Sequence, residues 1–148
     1  DIVDQRLERA MDMGADKAVN VLKEDLAQVV LDYTDGEGMP VIVDTVCSVK
    51  SFPQALDLAC QAGRVVVLGL TNLPSEVAQV AITKKELDVI GSRLNNHHFP
   101  EVIKAFESGA LNPEKMRTNT FNFTEIEKAI ELIQNHPEQV CKVTLNFD

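Results

Sequence analysis

Two short runs in this chain are apolar almost without a break, residues 40–46 (PVIVDTV) and 64–70 (RVVVLGL). Strands buried on both faces read this way, and they belong to parallel sheets with helices over each face. Between them, Phe52, Ala55, Leu56 and Ala59 recur at helical spacing. Ser51 and Gln54 precede that stripe in a capping-box arrangement, and Gly63 follows it. Parallel neighbours need a crossover, normally a helix, so the pattern predicts an open α/β sheet.

The flanks extend the pattern. Residues 4–13 predict a helix with Leu7, Ala10 and Met11 on one face and Gly14 as a left-handed cap, and 17–21 predict a short strand. Leu26, Val29, Val30 and Tyr33 predict an amphipathic helix, broken by Gly36 and Gly38. Val77 to Ile82 predicts an edge strand, Lys84, Lys85 and Glu86 a solvated charged turn, and 87–92 another strand. Phe99, Val102, Ile103 and Phe106 form a helix stripe ended by Gly109. A strand at 118–123 follows, and then a Thr124/Glu127 capping box opens a helix through Ile133, stopped by Pro137. Residues 141–147 (CKVTLNF) alternate like a half-buried strand. A weak polar seam near 95–100 divides the chain into 1–95 and 96–148.

Charge and cysteine content narrow the function. The 148 residues carry 14 Lys and Arg against 23 Asp and Glu, a net charge of −9, which argues against nucleic acid and anionic membranes as partners. No apolar run approaches the roughly 20 residues that a membrane helix needs. Cys47, Cys60 and Cys141 are odd in number and widely spaced, which fits a reducing cytoplasm, and no Cys/His spacing predicts a metal site. The start is acidic, without an apolar leader or initiator Met, and is expected to belong to a fragment or processed chain.

Motifs for phosphate loops, nucleophile elbows and metalloproteases are absent. Gly36-x-Gly38 leads from a helix into a strand, the reverse of a phosphate cradle, and reads as a turn. His97 and His98 read as a solvated pair at a helix start, and His136 as a helix C-terminal residue. Asp44, ending an apolar strand, is open to two readings: it faces a ligand crevice or caps the following segment. Lys142 is either solvated or aimed at a ligand.

Taken together, several segments resemble the medium-chain dehydrogenase/reductase family. Asp1, Arg6, Arg9, the GAD of 14–16, Val19 and Asn20 resemble its second βα unit. VIVDTVC (41–47) and AGRVVVLGL (62–70) resemble its fourth and fifth cofactor-domain strands, and KKELDVIGSR (84–93) the segment leading to the sixth. The tail, from FPEVIKAFESGALNP through FNFTEIEKAIELI to CKVTLNF, resembles its return to the catalytic domain. KKEL followed by GSR is nearest to the zinc-type polyol, threonine and sugar-acid dehydrogenases.

The resemblance implies a partial Rossmann-type, doubly wound parallel sheet over 1–95 and a C-terminal return segment over 96–148. It implies NAD as cofactor, with NADP less favoured, because Asp1 falls where the family's acidic residue accepts the adenosine ribose hydroxyls and repels a 2′-phosphate. Arg6 would lie beside that ribose. Thr45, Val46 and Cys47 would line the crevice, Cys47 standing where relatives usually have Gly and crowding the approach. Leu68, Gly69 and Leu70 would offer backbone groups to the nicotinamide carboxamide. Gly91, Ser92 and Arg93 would border the substrate side, and Lys142 would reach the pyrophosphate.

The family's catalytic zinc, which polarises the alcohol oxygen, would lie in an N-terminal domain outside these residues, as would the glycine-rich turn. The chain alone is therefore expected to be catalytically silent, its parent an alcohol, polyol or sugar-acid dehydrogenase. The resemblance also implies a homodimer through the Val77 to Ile82 edge. A stand-alone binding module and a zinc-free reductase of the same superfamily are the competing readings.

Overall fold

The computed structural model describes residues 1–93 and 95–148. In chain order the elements are α1 (Asp4–Asp12), α2 (Leu26–Tyr33), β1 (Met39–Asp44), α3 (Ser51–Leu58), β2 (Ala59–Val67), α4 (Val80–Thr83), β3 (Asp88–Gly91), α5 (Phe99–Glu107), β4 (Arg117–Asn122), α6 (Ile126–Asn135) and β5 (Lys142–Asn146). They form two compact units, Asp25–Asn96 and Asp1–Glu24 with His97–Asp148. Residues 1–24 cluster with the C-terminal part. Long-range bonds cause this, among them Arg6 to Pro137 O and Lys115 to Asp12 O.

The unit Asp25–Asn96 is built on a three-stranded parallel sheet in the order β1-β2-β3. Asp25 caps α2, its carboxylate accepting from the Ala27 and Gln28 N–H groups. One sheet face packs on α3, and the core there is Ala55, Leu56, Ala59, Val65 and Leu87. The other face stays open. Register sets Val43, Val66 and Ile90 abreast, and Val41 and Val43 are each 53% exposed. The expectation that 40–46 is buried on both faces is therefore corrected, since among the described residues of this unit helix cover reaches one side only.

Residues 77–82 are not a strand. A single helical turn, α4, occupies their C-terminal half, and Val77, Ala81 and Ile82 pack on the core. Ala81 and Ile82 sit on that turn and Val77 on the segment leading into it, and all three are directed to the core, so no alternating ladder forms. Lys85 is not solvated either: its ammonium donates to the Leu56, Asp57 and Ala59 carbonyls at 2.7–3.1 Å and closes the C-terminal end of α3. The Ser51/Gln54 box is replaced by one three residues earlier. Ser51 N–H donates to Ser48 Oγ while Ser48 N–H donates to Ser51 Oγ.

In the other unit, α1 ends in a full Schellman closure. Gly14, at φ +103°, donates to Met11 O and Ala15 to Ala10 O. Residues 17–21 carry no strand. The Asp1 nitrogen donates to Val19 O and Val21 N–H to Asp1 O, the two bonds of one parallel bridge centred on Asn20. Buried Asn20 ties this bridge to Asp4, which also holds Lys23 at 2.6 Å. Strands β4 and β5 pair in parallel around α6. Asn122, not the Thr124/Glu127 box, caps the turn before α6, accepting from Thr124 N–H.

Candidate functional site

Nine of the twelve residues singled out by resemblance converge at the carboxyl ends of β1, β2 and β3, where ligands bind in open α/β sheets. Asp44 organises this end. It is 7% exposed, and its Oδ1 accepts from the Val46 and Cys47 N–H groups at 3.1 and 2.8 Å. Its Oδ2 accepts from Ser51 Oγ at 2.8 Å. Its carbonyl accepts from Leu68 N–H at 2.9 Å. The carboxylate is thus spent on turning the chain from β1 toward α3, which decides between the two readings left open for Asp44.

The turn places Thr45 and Val46 outward and Cys47 inward, with Cys47 in a left-handed backbone at φ +51°. Leu68 and Leu70 stand exposed, Leu70 at 76%. Gly69 between them lies against β1's end, where a Cβ would come within 2.9 Å of the Thr45 and Val46 carbonyl oxygens. Beyond β3, Ser92 N–H donates to Val67 O and prolongs the pairing past Gly91. Arg93 is exposed. The three strand ends thus form a ledge of backbone flanked by the exposed side chains of Val46, Leu68 and Leu70.

The remaining three residues lie in the other unit. Asp1 Oδ1 accepts from the Ile2 and Val3 N–H groups, while Oδ2 lies 3.8 Å from the Arg6 guanidinium. Arg6 is itself anchored on Pro137 O at 3.0 Å. The N-cap of α1 is Val3, and the Asp1 carboxylate is divided between the chain start and Arg6. Lys142 opens β5, paired with Arg117, and its side chain is exposed. Below it in sequence, Lys23 and then the Asn20 amide hold the Asp4 carboxyl below the usual aspartate range.

Two clefts lie elsewhere. One, of about 490 Å³, sits at the amino ends of the same strands, beside Gly38, Ala59 and Lys85. Asp35, Glu37 and Asp57 line it, a set that repels phosphate. The other, of about 600 Å³, lies along α1 with Glu8, Arg9 and Lys115. Neither contains any of the twelve residues. Among the described residues, no three His, Cys, Asp or Glu side chains are grouped to hold a metal ion. No helix there is long and apolar enough to cross a membrane.

Sequence reasoning missed the link between Cys47 and Gly69, whose N–H donates to the thiol at 3.2 Å. The available signal was a side chain at a position that resembles a glycine site.

A parallel sheet with its crossover helix and strand ends on one side places the chain in the open α/β class of folds. Residues 1–108 match the family model described as zinc-binding dehydrogenase. The chain belongs to that family. It is 39% identical over 147 residues to the starvation-sensing protein RspB of Escherichia coli, covering 99% of this chain and 43% of that protein. It is 34% identical over 119 residues to the erythritol/L-threitol dehydrogenase of Mycolicibacterium smegmatis, covering 80% of this chain and 33% of that one. An Escherichia coli alcohol dehydrogenase structure (rspB), complexed with NADH, superimposes with a TM-score of 0.92 at 39% identity, over 99% of this chain and 43% of that one. The fold is accordingly the Rossmann type of these dehydrogenases, and the chain spans less than half the length of these relatives.

Proposed function

We propose that this chain forms the nucleotide-holding portion of an NAD-dependent, zinc-type dehydrogenase whose substrate is an alcohol, polyol or sugar acid. The observation that carries the reading is the strand-end ledge around Gly69, in a chain 39% identical over nearly its whole length to a dehydrogenase solved with NADH. NAD supplies the hydride acceptor when bound. The backbone of Leu68–Leu70 would hold the carboxamide, with Thr45, Val46 and the Gly91–Arg93 segment beside it. The Asp1 carboxylate and Arg6 would hold the adenosine ribose, and Lys142 the pyrophosphate.

A carboxylate at Asp1 favours NAD over NADP through charge repulsion. The described residues offer no donor set for zinc. In this reading the catalytic zinc and the glycine-rich turn belong to the parent outside these residues, so the 148 residues alone are expected not to oxidise alcohols. Residues 1–95 form the nucleotide part and 96–148 the return segment in this reading. The parent works in the cytoplasm, consistent with three free cysteines. The parent is a homodimer in this reading, but not through a strand at Val77 to Ile82, since Val77, Ala81 and Ile82 pack on their own core.

Calorimetric titration of the chain with NADH and with NADPH tests the reading. Expected is millimolar binding of NADH and weaker binding of NADPH, with the gap narrowed by Asp1→Asn. Equal affinities that Asp1→Asn leaves unchanged would remove the ribose assignment. Turnover of a polyol and NAD by the chain alone would overturn its expected silence.

A further inference from the structure

We propose that the Cys47 thiol is a positioning group that pins the Leu68–Leu70 backbone to the end of β1, and so sets where a bound dinucleotide meets that backbone. The inference rests on the cofactor reading above. Cys47 is 5% exposed. Its N–H is fixed on Asp44 Oδ1 at 2.8 Å, and its thiol donates to Asp44 O at 3.2 Å. The same sulfur accepts from Gly69 N–H at 3.2 Å, and that N–H reaches Asp44 O only at 3.3 Å. Removing the sulfur therefore leaves the Gly69 amide with one long bond.

The backbone argues against a packing role alone. At φ +51° Cys47 occupies a conformation that disfavours any residue with a Cβ, and glycine is less strained there. A side chain retained at such a position has contacts that offset the strain, and here those contacts are the two sulfur bonds across the strand ends. On the β1 side, the Thr45 and Val46 backbone leaves no room for a Cβ at Gly69. The thiol stops it drifting away.

The test uses the isotopically labelled 148-residue chain, with Cys47→Ser, Cys47→Ala and Cys47→Gly. Three quantities are read: amide exchange at Gly69, NADH affinity from shift titration, and Tm. Cys47→Ser keeps a hydrogen-bonding atom and is expected to hold exchange and affinity within about twofold of the starting chain. Cys47→Gly relieves the backbone, so its Tm is equal or higher, yet Gly69 exchange rises and NADH affinity falls by about threefold or more. Cys47→Ala shows the same two losses.

Wild-type exchange and affinity in the Gly and Ala variants would overturn the assignment. Losses that merely follow Tm across the series would do so as well. Absence of any NADH-dependent shift in the starting chain would instead defeat the cofactor reading, and the cofactor half of this proposal with it. Binding by the starting chain with a flat thiol series defeats only the role of Cys47.

Discussion

Replacing Gly69 with alanine puts a methyl group where backbone already stands. The new Cβ falls 2.9 Å from Thr45 O, Val46 C and Val46 O, and none of these can rotate away as a side chain would. The φ of Gly69 is not in the left-handed region, so sterics decide the outcome. Overpacking of this kind costs roughly 1–3 kcal/mol, and the stiffer unfolded chain returns roughly 0.4–1 kcal/mol. The net destabilisation is about 1–2 kcal/mol. With a urea slope on the order of 2 kcal/mol/M, the unfolding midpoint falls by roughly 0.5–1 M. Gly91→Ala is the control, since a Cβ there meets nothing within 4 Å. Its midpoint is expected to stay level or rise slightly. Urea curves followed by circular dichroism compare the two. Equal shifts, or an unshifted Gly69→Ala, would refute the close approach of the β1 and β2 ends.

Lys85→Met removes an ammonium from three helix-end carbonyls and is expected to cost about 2 kcal/mol, whereas exposed Lys84→Met stays within about 0.5 kcal/mol; urea midpoints separate them. The Asp4 carboxyl, lowered first by Lys23 and then by Asn20, binds its proton more weakly folded than unfolded. Its contribution is complete above the unfolded value near pH 4 and fades as pH falls through the lower folded value. Asp4→Asn is expected to flatten that acid limb, and an unchanged limb in acid titrations followed by circular dichroism would contradict the pairing.

The elements visible in the sequence were those whose apolar pattern serves one purpose. Ile42 and Val65 sit in apolar runs rich in β-branched residues and bounded by Gly and Pro, which favour strands, and the stripes of α2, α5 and α6 fold as helices, as their spacing predicts. Val77, Ala81 and Ile82 were ambiguous, because a short apolar segment satisfies a strand or a helical turn equally well. Contact with Leu56 and its neighbours in the core resolves it as a turn. Residues 17–21 have an extended pattern but bond only to Asp1, and no pattern within a segment reveals its partner. The same limit applies at the site. Thr45–Cys47 and Leu68–Leu70 could be located because they follow apolar runs. The spending of Asp44 on Val46, Cys47 and Ser51 depends on the left-handed turn at Cys47, which the sequence does not announce.

The most direct measurement is an amide shift map of the labelled chain titrated with NADH. Shifts concentrated at Thr45–Cys47, Leu68–Leu70 and Gly91–Arg93 are the expected result. Shifts confined to the acidic cleft around Gly36, Gly38 and Lys85, or none at millimolar NADH, would contradict a nucleotide-holding ledge at the carboxyl ends of the sheet.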